Sequence, residues 1–296
     1  MNKITGTLAS IAASLLLAAP VFAADQVGGI EVEKMSRLRQ LVPEAELEQA
    51  ALQQYTSLKQ QAGEKGALLP DNHPQVQRLR AMAKKIIPHA QRWNDNAARW
   101  NWEISVISTS DINAFCMPGG KIVFFTGILA QLKLTDDEAA VVMGHEIAHA
   151  LREHGRERLA KSTLTNAGSR LLGFGLSAIL GIDPSVTDAA AGAGANLAIL
   201  RFSRQDETEA DLVGLDIVAR AGYDPRAGIA LWEKMARVSK DTGLQWLSTH
   251  PAGKTRIAEM RTALPKVMPL YAQAVGKSLK ALPPYTSNVK GVGPVR

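Results

Sequence analysis

An α+β fold, mostly helical with one small sheet, is what three features of this 296-residue chain predict. Ala and Leu are abundant while aromatic residues make up only 5%, a balance that favours helices over a β-sandwich. Two capping signatures, Thr135-Asp136-Asp137-Glu138 and Ser203-x-x-Asp206, each open a run with helical periodicity. Only two segments, Glu103 to Ser108 and Lys121 to Thr126, have strand character, and they lie close together. With 46% hydrophobic residues the chain can fill a core, which excludes a disordered protein.

The elements follow in chain order. Lys3, an uncharged apolar stretch from Leu8 to Ala19, and the small residues Val21 and Ala23 have the form of a secretory signal (residues 1–23) cleaved after Ala23. Its apolar part is too short to span a bilayer, so an exported, periplasmic protein is expected. Glu31 to Ala62 mixes charged and apolar residues at helical spacing, interrupted by Pro43, and Gly63 to Pro74 reads as a loop. A second helix runs from Gln75 to Trp93 with a break at Pro88. Between the two strands, Asn113 to Gly120 ends in Pro-Gly-Gly and forces a turn, so the sheet is expected to be antiparallel. The Thr135-capped helix should extend to about Ala160. A Gly/Ala-rich stretch, residues 163–200, follows as a candidate cover over a cleft; its apolar run is too short to cross a membrane. Helices are expected over Ser203 to Ala221, Ala227 to Val238 and Thr255 to Leu264, before a Pro/Gly-rich tail from Pro283 that should fray.

Charge and cysteine usage narrow the partners. A net charge of +6 suits weak attraction to anionic surfaces, hence peripheral association with an envelope membrane. No basic run is interleaved with aromatics, which argues against nucleic-acid binding. The single cysteine, Cys116, excludes an internal disulfide and is expected to be a small buried hydrophobe.

The chemistry sits in His145-Glu146-Ile147-Ala148-His149, midway along the Thr135-capped helix. Four residues apart, His145 and His149 share a face and can turn both imidazoles to one ion. Glu146, about 100° round the helix, can reach a water at that ion but not serve as a ligand. Two neutral nitrogens, an open position and a carboxylate base are what a zinc hydrolase needs. A third ligand must come from elsewhere, and Asp206-Glu207-Thr208-Glu209-Ala210-Asp211 offers one. Glu207 and Asp211 share a face, giving a ligand and an acceptor for the second N–H of a ligand histidine. Glu209 points elsewhere and remains the competing ligand.

These residues, together with Ser203-Arg204, Asn113-Ala114-Phe115-x-x-Pro118-Gly119-Gly120, Gly144 and Ser248-x-His250-Pro251 with Arg256, resemble metallopeptidase family M48, in particular its soluble periplasmic branch. The resemblance implies a zincin-like domain of the gluzincin type over 75–265, with the small sheet packed on the helix of the two histidines. An N-terminal helical segment (24–74) and a C-terminal helix with a frayed tail (266–296) flank it. It further implies one Zn2+ per chain held by His145, His149 and Glu207, with Glu146 as catalytic base for peptide hydrolysis. Unfolded or misassembled cell-envelope polypeptides are the implied substrates, in protein quality control. A chaperone-like or scaffold protein with a structural or latent zinc site is the alternative. The intact Glu146 argues against a structural site, which closes its fourth position and needs no base.

Several further residues are candidates for support. His250, on a turn before Pro251, is placed to stabilise an oxyanion or to gate the open zinc position. Asp211 is the outer acceptor, and Arg204 and Arg256 would neutralise nearby acids. His154 is expected to be structural or to support a ligand from behind, since it lies too far along the helix to join His145 and His149. The apolar strand Lys121, Ile122, Val123, Phe124 is the candidate for pairing with an extended substrate.

Overall fold

In the computed structural model, which describes residues 28–164, 202–238, Trp246, His250 and 254–296, the Pro118-Gly119-Gly120 turn joins two strands. Gly119 and Gly120 take φ of 77° and 79°, which glycine adopts without a Cβ penalty. They connect β2 (Ala114–Met117) to β3 (Lys121–Phe125) as an antiparallel hairpin. β1 (Glu103–Ile107) pairs with the other side of β3 in parallel, Glu103 against Lys121. The expected antiparallel sheet is therefore mixed. The short β2 was concealed in a segment that ends in turn residues, and the two reversals around it return β3 to the direction of β1.

The order β1-β3-β2 corrects a second expectation. Lys121–Phe124 lies in the middle strand, with partners on both sides, so it cannot accept a substrate strand. β2 lies at the sheet edge instead.

Alternation along the strands sends their side chains to two layers. Phe115, Met117, Val123 and Phe125 pack against Ala51, Tyr55, Leu58 and Ala62 of α1 (Glu44–Glu64). Ile104, Val106, Ala114, Ile122 and Phe124 face the main core, shared with α2 (Pro74–Ile86). The core continues through α3 (Thr126–Gln131) to α4 (Asp136–Leu151), the helix of the two histidines.

α4 opens on a complete capping box: Glu138 N–H donates to the Thr135 hydroxyl, and the Glu138 carboxylate accepts from Thr135 N–H. It stops at Leu151, short of the expected Ala160. Glu153 takes a left-handed φ of 53°, while the Arg152 side chain is drawn to the Glu33 carbonyl and the Glu209 carboxylate. A separate helix, α5 (His154–Leu164), starts there.

Across α4 lies α6 (Arg204–Arg220), opened by a second capping box between Ser203 and Asp206. Their pairing is the most extensive between helices. Two glycines make it close. A Cβ on Gly214 would lie 3.0 Å from His145 N and 3.1 Å from Gly144 C, and one on Gly144 would lie 2.6 Å from Val218 Cγ1. The backbones touch at the point where the first histidine sits.

α7 (Ala227–Val238) and α8 (Lys254–Ala274) complete the core. α8 runs through Pro265 and Pro269, past the stop expected at Leu264, because Val267 and Leu270 keep its apolar face buried. The tail expected to fray is pinned instead. Tyr285 and Val295 bridge to each other and are buried, and the Tyr285 hydroxyl lies 2.9 Å from Thr135 Oγ1. Buried Lys234 donates to Glu138 at 2.6 Å and to Asn288 at 2.5 Å, tying the tail to the start of α4. The candidate signal segment and all but the first residues of the candidate cover lie outside the described residues. Among the described residues, no helix is long and apolar enough to cross a membrane.

Candidate metal centre

The close crossing of α4 and α6 brings together side chains that the sequence keeps far apart. His145 and His149 on α4, Glu207 on α6, and His250 each offer one ligand atom, all within 4.8 Å of one another and all buried. His145 Nε2 lies 3.1 Å from His149 Nε2 and 3.2 Å from His250 Nδ1. Glu207 lies 3.6 Å from each of the two α4 nitrogens and 2.9 Å from His250 Nδ1. Zinc bonds of about 2.0–2.1 Å at tetrahedral angles hold donors about 3.4 Å apart, close to these separations. Three ring nitrogens converging in one buried space have too few protons to satisfy them all, whereas one cation does. The donor set fits zinc.

The protonation states agree. Burial and the neighbouring His145 hold the His149 imidazole well below its ordinary pKa, so it is neutral. Burial pushes the Glu207 carboxyl up, but His250 and Arg256 outweigh it and keep it below the usual range. Neutral imidazole and ionised carboxylate are the forms that bind a metal.

A second layer fixes the donors. Asp211, one turn on from Glu207, places Oδ1 3.0 Å from His145 Nδ1. Arg256 donates to both Asp211 oxygens at 2.6 Å, and its Nη1 lies 2.6 Å from Glu207. Its guanidinium also lies 3.9 Å from the Trp232 ring centroid. One planar cation thus sets both a donor and the acid that orients another donor. Arg204 shares none of this: it is exposed at the first turn of α6. His154 stays outside the donor set, as expected, and supports it from behind. The break after α4 turns it back, so that its Nδ1 lies 2.9 Å from His149 Nδ1. Glu209, the competing acid, faces His154 and Arg152 rather than the donors.

Glu146 stands beside the donor set. Its Oε1 accepts from Trp246 Nε1 at 2.8 Å and lies 3.7 Å from His250 Nε2. Burial raises its carboxyl above the ordinary pKa, against the pull of His250 and His145. Trp246 stacks on His250 and Phe202 on His149, with ring centroids 4.7 and 3.9 Å apart. Sequence reasoning missed both aromatics; their only trace was Trp246 four residues before His250. Cys116 is buried, and burial pushes its thiol up, so it behaves as the expected hydrophobe.

The geometry can be set beside known proteins. The model of Peptidase family M48 matches residues 72–264, which include every donor. Mitochondrial metalloendopeptidase OMA1 of Saccharomyces cerevisiae is 35% identical over 70% of this chain and 61% of its own length. The Arabidopsis thaliana protein of that name is 39% identical over 53% of this chain and 30% of its own length. The beta-barrel assembly-enhancing protease of Escherichia coli is 28% identical over 67% of this chain and 41% of its own length. The chain thus spans less than two thirds of each of these relatives.

These relatives overturn the periplasmic placement. Those at 34–39% identity are mitochondrial enzymes by name, whereas the bacterial protease matches at 28%. No acid precedes Asp25, a trait shared by export signals and organelle-targeting segments, so the first residues do not fix the compartment. What the match and the donor set do fix is lineage: the chain belongs to peptidase family M48.

Proposed function

We propose that this chain is a zinc-dependent endopeptidase that hydrolyses peptide bonds of unfolded or misassembled proteins, envelope proteins among them. The observation that carries this reading is the convergence of His145, His149 and Glu207 beside a carboxylate, Glu146, that takes no part in the donor set. In this reading those three residues hold zinc, which supplies Lewis acidity to activate water and polarise a carbonyl. Glu146 accepts the proton of the attacking water as its oxygen bonds the carbonyl carbon. It then delivers that proton to the leaving amine as the C–N bond breaks. Trp246 holds Glu146 in place, and Asp211 and Arg256 hold the ligands.

Two facts support an unfolded substrate. β2 is an edge strand, and main-chain pairing along an edge accepts extended chains of many sequences. The bacterial relative's name links it to the assembly of β-barrel proteins. Kinship with that soluble branch, and a peripheral hold on a membrane through the basic charge, belong to the same proposal. The test is metal content together with casein degradation. One zinc per chain, degradation stopped by a chelator and restored by zinc are expected; chelator-resistant degradation would sink the reading.

A second reading, of an enzyme held latent, is favoured by His250, which lies among the donors with Trp246 stacked on it. On this reading His250→Ala raises casein degradation several-fold. A fall instead assigns His250 to stabilising the oxyanion.

A further inference from the structure

A narrow pocket bordered by His149 adjoins a more open one, Glu44, Glu48, Trp100 and Pro118 lining both, and together they form a groove. Leu47, Trp100, Cys116, Pro118 and Phe202 line its inner part. The outer part runs between the Gln49 and Leu52 side of α1 and the turn at Pro118 and Gly119. Glu48 borders both parts, and its side chain reaches over the hairpin: a Cβ on Gly119 would lie 3.8 Å from Glu48 Cγ.

The other charges around the groove are engaged. Glu44 and Glu153 lie 3.5 and 2.9 Å from Arg156, and Glu153 lies 2.8 Å from Arg39. Arg99 donates to Asn96, and Lys121 to the Asn101 carbonyl. Glu48 forms no ion pair among the described residues. Burial and the nearby Glu44 hold its carboxyl above the ordinary pKa, against weaker pulls from Trp100 and Arg99. It is a half-buried anion with apolar walls on either side and a metal ligand at the inner end.

We propose that this groove is a substrate subsite that selects a side chain with an aliphatic stem and a cationic tip, lysine or arginine, with Glu48 as the specificity-determining contact. The inference rests on the endopeptidase reading above. A chain laid along β2 sends alternate side chains out of the pairing plane, and one of them passes Pro118 into the groove. Trp100, Leu47 and Pro118 cover its methylenes while the tip reaches Glu48, an arrangement that suits an amphipathic side chain. An acidic tip would meet a like charge, and an apolar tip would bury the anion further without a partner. Glu48 lies on α1, ahead of the residues that match the family model.

The test uses the zinc-loaded full chain and quenched fluorescent peptides in which lysine, leucine or glutamate occupies each position around one cleavable bond. At one position lysine is expected to be favoured over leucine about tenfold in kcat/KM. E48Q should erase that ratio, and E48K should turn it towards glutamate. E46Q, an exposed change on α1 away from the groove, should leave the ratio as it is. Ratios measured within one variant do not depend on how much of it folds. No lysine preference, or one that survives E48Q, overturns the inference while casein degradation leaves the endopeptidase reading standing. If nothing is cleaved, that reading fails by itself. Anisotropy of labelled lysine and leucine peptides on zinc-loaded E146Q then decides the subsite, because equal binding overturns it.

Discussion

Glu146→Gln is expected to leave one zinc bound per chain and to lower hydrolysis of unfolded casein at least about a thousandfold. The amide has the shape of the carboxylate, and its oxygen can still accept the Trp246 indole N–H that Glu146 accepts at 2.8 Å. What it lacks is basicity. Metal binding should be spared because the cluster that could hold the ion is His145, His149, Glu207 and His250, with Glu146 outside it. Stability should not suffer either. Burial holds the carboxyl above its ordinary pKa, so keeping it ionised in the folded state costs free energy that the neutral amide does not. The measurements are zinc per chain, melting temperature and casein degradation. A chaperone-like or scaffold protein would keep its function under this change, and cleavage at the wild-type rate would remove Glu146 from the mechanism.

Gly214→Val is expected to dismantle the centre without replacing any residue that forms it. The first added carbon would lie 3.0 Å from His145 N and 3.1 Å from Gly144 C, and these are backbone atoms that cannot turn aside. α6 must lift from α4, carrying Glu207 and Asp211 away from the histidines. Overpacking of this kind costs about 3 kcal/mol or more. For a chain of this size that corresponds to a fall of about 10 °C in melting temperature. Zinc affinity should fall with it, since ligand and orienting acid move together. A variant with wild-type zinc content and melting temperature would show that the close crossing is not what assembles the site.

The same crossing separates what the sequence could disclose from what it could not. His145 and His149 were legible because both lie on one helix, where four-residue spacing dictates a shared face. Glu207 and Asp211 were legible as a pair for the same reason. Spacing could not choose between Glu207 and Glu209, because the choice depends on which face of α6 meets α4. Gly144 and Gly214 decide that, and a glycine within a helix discloses its purpose only when its neighbour is known. The sheet was half legible. The Pro-Gly-Gly turn announced a hairpin, but the short strand before it, Ala114–Met117, was too brief to carry a pattern of its own. The end of α4 was misplaced because continued periodicity hid the left-handed residue Glu153, whose conformation depends on where Arg152 finds its distant partners. The Trp246 bond to Glu146 and the fork of Arg256 are long-range contacts, which no local pattern encodes.

The fastening of α4 to the tail bears on when that helix is fully tied down during synthesis. Tyr285 reaches Thr135 across 150 residues of chain, and Asn288 completes the shell around Lys234 and Glu138. A ribosome adding about 5–20 residues per second needs roughly 10–30 s between making the first partner and the last. Until then the start of the histidine helix has its own capping box but lacks the two contacts that the tail supplies.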